Sequence, residues 1–248
     1  MFPPQTKYLT TRRLFLLHSF ERSAGFVMIA TLLRSACAAY LILMLGAAAA
    51  QAAYYDDPKE LDVTGPYTQP ASGMVFPEAV RNFKRTGVVS YNSERTDESV
   101  DYEWEVGGKT QVAVTVYVYP VPADLGSALA QALPQDDLVR TWLMLSEQLF
   151  SEEEQAIVEL HRGSEVLNEE ETSLVQNGIS YPGFTAAFRY REDFFGEVQP
   201  VRSQLFLFPN VRGNWMVKYR VTYPETVDGA SQATAFLHGF PWTIRQPK

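Results

Sequence analysis

Hydrophobic and polar residues settle into a regular period only beyond residue 74. From Val100 to Val106, Val100, Tyr102, Trp104 and Val106 alternate with Asp101, Glu103 and Glu105, the period of two that marks a strand with one buried face. Gly107-Gly108 follows, a pair that adopts the positive φ of a tight hairpin at little steric cost. The next run, Val112 to Tyr119, is apolar at both parities, which predicts a central strand covered on both sides. Pro120 and Pro122 end it. A shorter strand is expected from Val88 to Tyr91.

Two helices are predicted next. Asp124 caps the first, Leu125 to Leu133, which Pro134 stops. The second starts at Asp136 or Asp137 and reaches His161, with Leu138, Trp142, Leu145 and Leu149 on one stripe. Ser151 with Glu154 reads as a capping box where this helix breaks or restarts, and Gly163 as its terminating glycine. Strands then return: Val166 to Val175, a turn at Asn177-Gly178, and Phe184, Ala186, Phe188 and Tyr190 alternating with Thr185, Ala187, Arg189 and Arg191. Val201 to Phe208 and Trp215 to Tyr223 form a further hairpin. Asp228 caps a last helix with Ala233, Phe236, Leu237 and Phe240 on its apolar side, and Pro241 stops it. Strands joined by tight turns imply a largely antiparallel sheet, and the fold class is α+β with helices packed on the sheet.

The element order from Val166 onward, closing on Trp215-Met-Val-Lys-Tyr-Arg-Val-Thr-Tyr-Pro and a final helix, resembles the PsbP-like fold. Val75-Phe76-Pro77-Glu78 is similar to the opening of that fold. The likeness covers residues 75–245 and lies in element order. It implies an α/β/α sandwich and a binding or accessory role, mostly without catalysis, as in the photosystem II accessory proteins and many exported bacterial proteins. It carries over no functional residue.

Charge separates the two ends of the chain. Lys7, Arg12, Arg13, Arg22 and Arg34 against Glu21 give the first 52 residues +4, so the remainder of this −8 chain carries −12. The apolar run Leu41 to Ala52 closes on Ala50-Gln51-Ala52, small residues suited to a signal peptidase. Residues 1–52 are therefore read as a signal peptide, with Met28 as an alternative start that restores the usual length. Thr11-Arg12-Arg13-Leu14-Phe15-Leu16 matches a twin-arginine pattern, which Glu21 and Arg22 interrupt. Ordinary secretion, twin-arginine export and an uncleaved anchor stay open at this stage. Cys37, the only cysteine, lies in this leader, so the body forms no disulfide or thiolate site. The expected location is periplasmic or secreted, in a Gram-negative envelope, with no transmembrane domain after signal cleavage. Residues 53–73, punctuated by Asp56-Asp57-Pro58, Gly65-Pro66 and Pro70, read as a flexible arm, and 74–248 as one α+β domain.

With 20% charged and 46% hydrophobic residues, the composition excludes collagen-like, low-complexity and disordered classes. An acidic body without a basic motif excludes nucleic acid. No metal, cofactor or catalytic signature is present. His161 reads as a charge at a helix C-terminus and His238 as a partly buried histidine. Glu152-Glu153-Glu154 and Glu169-Glu170-Glu171 read as solvated acidic faces. One constellation carries chemistry. Arg189 and Arg191, Arg202, and Lys218 with Arg220 fall at matching positions of three strands. On one sheet face they would form a site for a small anion or an acidic protein; otherwise they pair internally with Asp101, Glu103, Glu105 or the acidic helix. Phe194 and Phe195, in a Gly- and Pro-flanked loop, are candidate contact residues. The functional expectation is an exported, non-enzymatic accessory or binding protein. Alternatives are an unrecognised periplasmic hydrolase and an envelope-interaction module.

The leader makes a direct prediction. N-terminal sequencing of the exported protein should begin at Ala53, after Ala50-Gln51-Ala52; a terminus at Met1 or Met28 on the soluble protein would rule cleavage out.

Overall fold

The computed structural model describes residues 58–121, 135–211 and 215–244, without the side chains of 135–145 and 210. Contacts divide the chain into two units, Met1–Pro58 with Tyr91–Ser93, and Lys59–Ser90 with Glu94–Lys248. Of the first, only Pro58 and Tyr91–Ser93 are described; the architecture below is that of the second. In chain order it contains β1 (Lys59–Glu60), β2 (Tyr67–Thr68), β3 (Val75–Phe76), β4 (Ala79–Val80), β5 (Phe83–Ser90), β6 (Glu98–Val106) and β7 (Lys109–Pro120). Then follow α1 (Gln135–Leu160), β8 (Glu165–Gln176), β9 (Ile179–Phe194), β10 (Glu197–Val211), β11 (Trp215–Pro224) and α2 (Gly229–Gly239). The main sheet has the order β1-β5-β6-β7-β11-β10-β9-β8, with β4 beside β5. Its pairings are antiparallel throughout. The class is α+β, dominated by the sheet.

β7 lies at the centre, as its valines imply. Val112, Val114, Val116 and Val118 are at most 1% exposed and share one core with Val100, Tyr102, Val217, Tyr219 and Val221. α2 covers this side. Its Phe236 ring stands 4.9 Å from Phe83 and 5.1 Å from Tyr102, both edge-on, the arrangement that ring quadrupoles favour. A second core gathers Ala186, Phe188, Val201, Leu205, Leu207 and Met216 with Phe150 and Ile157 of α1. The Phe150 and Phe184 rings lie 5.5 Å apart.

Turn chemistry behaves as written. Gly107-Gly108 and Asn177-Gly178 both hold two successive positive φ values, which match the twist of the flanking strands. Several expectations are corrected. α1 runs unbroken through Ser151 and Glu154, because Phe150 and Ile157, two turns apart, continue one buried stripe across the capping-box signal. Asp228 precedes α2 without capping a backbone N–H; its carboxylate accepts the Ser231 hydroxyl at 2.6 Å. On β6, Trp104 is only partly buried and Val106 is 53% exposed. The strand outruns the core beyond the register shift at Trp104/Glu105. The expected helix Leu125–Leu133, and the side chains of Leu138, Trp142 and Leu145, lie outside the described residues.

The stretch from Lys59 to Gly73 is not a loose arm. Tyr67, Gln69 and Ser72 are buried. Gln69 donates from Nε2 to the carbonyls of Thr96 and Val118, at 3.1 and 3.2 Å. The Tyr67 hydroxyl donates to Glu98 Oε2 at 2.5 Å, and Arg95 Nε donates to Glu98 Oε1 at 3.0 Å. The Pro and Gly residues that read as flexibility shape turns between these buried anchors. Glu98 is fully buried, and its burial holds the carboxyl above the usual range despite both donors.

A raised native value means that the folded state binds this proton more tightly than the unfolded chain. The contribution is therefore full below the ordinary carboxylate range and is lost as pH rises through the native value. Glu98→Gln removes the titration. The Tm of the native protein minus that of the variant should fall as pH rises above the ordinary carboxylate range of about pH 4; calorimetry showing a difference that grows with pH would reverse the assignment.

Candidate functional site

The five cations do not share a face. Arg202 lies opposite Arg189 and opposite Tyr223, on the side that α2 covers, as does Arg191, opposite Pro200. Lys218 and Arg220 lie opposite Leu207 and Leu205, on the side that α1 covers. Matching odd and even numbers misplaces them because a register shift between Phe208 and Val211 makes β10 and β11 pair even residues with odd ones. Arg202 therefore faces with odd-numbered Tyr223, not with Lys218 or Arg220.

Each cation is engaged. Arg189 Nε meets Glu225 Oε1 at 2.7 Å and its Nη1 meets Glu165 Oε2 at 3.4 Å. Arg202 shares the same Glu225 oxygen at 3.2 Å, so one carboxylate bridges two facing arginines. Arg191 donates to the Val198 carbonyl. Lys218 Nζ meets Glu153 Oε1 at 2.7 Å and stands 4.3 Å from the centre of the Tyr117 ring. Asp101 and Glu103, expected as partners, instead accept the hydroxyls of Thr115 and Thr110.

Arg220 is the exception in kind. It is 8% exposed. Its Nη2 donates to the Tyr190 hydroxyl at 2.7 Å and lies 3.0 Å from His161 Nε2, while Nε donates to Ser203 Oγ at 3.3 Å. Its Nη1 has no hydrogen-bond partner among the described residues. His161 is thus not a solvated helix-end charge. Its ring stacks on Tyr190, centroids 3.8 Å apart. Because Nε2 faces a guanidinium donor it acts as acceptor, which leaves the proton on Nδ1, 3.8 Å from Glu192 Oε2. This gathers a histidine, a carboxylate and a serine, the residue types of a nucleophilic triad. The connectivity is wrong for one. Arg220 occupies both His161 Nε2 and Ser203 Oγ, so the imidazole has no line to the hydroxyl it would have to deprotonate. His238, expected partly buried, is exposed. Tyr190, Glu192 and Ser203 carry no spacing signal in the sequence; only the register of β9 and β10 unites them.

The Phe194-Phe195 segment is a hairpin, not a loop. Phe195 and Gly196 form the two-residue turn between β9 and β10, at φ 53° and 90°. Phe194 is buried, whereas Phe195 is 37% and Val198 64% exposed. The rings of Phe194 and Phe195 meet edge-on at 4.9 Å. Elsewhere, a recess of about 570 Å³ lies between Glu60–Thr64 and β5. Its one arginine, Arg85, is occupied by the carbonyls of Phe76, Val63 and Gly65.

No known family profile and no curated protein matches the chain. Structural likenesses are distant. The Pseudomonas aeruginosa protein of unknown function PA94 is 10% identical over 74% of this chain and 97% of its own, with a TM-score of 0.33. The Ran-binding protein Mog1p of Saccharomyces cerevisiae is 19% identical over 73% and 87%, TM-score 0.27. LpqN of Mycobacterium tuberculosis, involved in cell envelope biogenesis, is 8% identical over 75% and 88%, TM-score 0.28. Among the described residues, no helix is long and apolar enough to cross a membrane.

Arg220 separates scaffolding from binding. Arg220→Ala strips the donor from Tyr190, His161 and Ser203 and should cost about 2–4 kcal/mol by chemical denaturation. A loss below about 0.5 kcal/mol would mean that the arginine is not held for stability.

Proposed function

We propose that this is an exported, non-enzymatic accessory or binding protein of the periplasm or envelope, with residues 1–52 as its leader and the α/β/α layering of the PsbP-like resemblance. The observation that carries the reading is Phe195. A bulky side chain in the left-handed region costs about 1–2 kcal/mol, and Asn, Asp or Gly suits the first turn position better. Phe195 bears this strain while about a third of it stays exposed to water. The fold covers the remainder through the edge-on contact with Phe194, and a protein partner seated on the hairpin tip would cover the exposed third. The occupied state of Lys218 and Arg220 argues against the acidic partner or anion that a shared basic face would attract.

Phe195→Asn tests the reading. The variant should melt at or slightly above the native temperature, because Asn tolerates positive φ. Recovery of envelope partners on the immobilised protein should fall at least about fivefold, the equivalent of losing one buried aromatic contact. Unchanged recovery would overturn the reading.

A further inference from the structure

β8 ends the sheet. It pairs along its length with β9 and with no other strand among the described residues. It is 12 residues long, and Glu165, Val166 and Asn168 to Glu171 are all exposed. A register shift between Val166 and Asn168 interrupts β8 near its start, and from Asn168 to Gln176 the ladder is regular; there the outward N–H and C=O groups can recruit another strand, and the glutamates limit which strand that can be. Register places Glu169 and Glu171 on the α1 side, opposite Ala186 and Phe184, with Val175 two and three steps further along the same side; Glu170 faces the α2 side. Val175 is 58% exposed. Glu169, Glu170 and Glu171 form no ion pair among the described residues, whereas Arg189 of the adjacent β9 is held by Glu165 and Glu225.

We infer that the free edge of β8 receives an extended segment of a protein partner that carries lysine or arginine at alternate positions, added to the sheet as a further strand. Main-chain hydrogen bonds would supply affinity, and cations facing Glu169 and Glu171 would supply register. Charge decides the occupant. A second copy of this chain pairing antiparallel about Glu170 would set Glu169 against Glu171, like charges directly opposed. A basic strand relieves that field. Burial first, and then the charge of Glu169, hold the Glu154 carboxyl of α1 above its ordinary range. The inference rests on the reading of the chain as a protein-binding module but uses a different surface from the hairpin tip.

The test measures binding of a ten-residue peptide alternating lysine and valine to the full-length mature chain, by fluorescence anisotropy. The parent peptide should bind, and its glutamate-valine counterpart should not. Peptides N-methylated on every lysine or on every valine should differ, because only one set of N–H groups faces β8. Replacing Glu169, Glu170 and Glu171 together with Gln should weaken binding about tenfold without lowering Tm, and added salt should weaken it further. Phe195→Asn should leave peptide affinity unchanged, so failure here alongside intact partner capture overturns strand addition alone. Absence of binding, equal binding of both N-methylated peptides, or indifference to the triple substitution would overturn the inference. So would a dimer in sedimentation that the triple substitution strengthens.

Discussion

The pairing of β7 with β11 is the constraint on which the remaining structure depends. Val114 stands opposite Val221, Val116 opposite Tyr219 and Val118 opposite Val217, so the aliphatic residues of both strands stack on one side. Thr115 must then face Arg220, and Tyr117 must face Lys218, on the other side. A slip by one residue would drive Lys218 and Arg220 into the aromatic core under α2, where nothing could compensate their charge. The register is thus fixed as much by the cost of burying two cations among rings as by the gain from the valines.

That constraint shapes the electrostatics of the whole body. With Lys218 and Arg220 under α1, Lys218 draws Glu153 to itself, and Arg220 assembles Tyr190, His161 and Ser203 around a guanidinium. Arg189 and Arg202 face each other across β9 and β10 and share Glu225. Of these four cations, Lys218 and Arg220 are buried and Arg189 and Arg202 lie at the surface. Glu169, Glu170 and Glu171 stand exposed on the β8 edge, and the surface there is acidic.

Buried polar anchors do similar work at the opposite end of the sheet. Glu98 has no exposure, and it holds Tyr67 and Arg95 while Gln69 reaches two carbonyls. These bonds fasten an irregular segment that lacks a hydrophobic period of its own. Glu98 therefore carries a desolvation cost that its two donors offset only in part, and the pH dependence of stability should be read at that residue.

Local pattern determined the long strands, the hairpins at Gly107-Gly108 and Asn177-Gly178 and the last helix, but neither the short strands β1 to β4 nor the turn at Phe195-Gly196. Alternation over Phe184–Tyr190, the valine run and the Asn177-Gly178 turn each encode their own geometry within a few residues, because side-chain period and positive φ are short-range properties. The packing of Lys59–Gly73, the continuity of α1 across Ser151 and the split of the five cations between two faces were not legible there. Each depends on which residues meet across strands: Tyr67 on Glu98, Phe150 and Ile157 on β9 and β10, Arg202 on Tyr223. Sequence numbers lose track of a face at every even-length turn and every bulge, such as that between Val166 and Asn168. Tertiary register alone decided that Lys218 and Arg220 would be buried under α1, that Arg189 and Arg202 would share Glu225 at the surface, and that Glu169 to Glu171 would stand at the edge of the sheet.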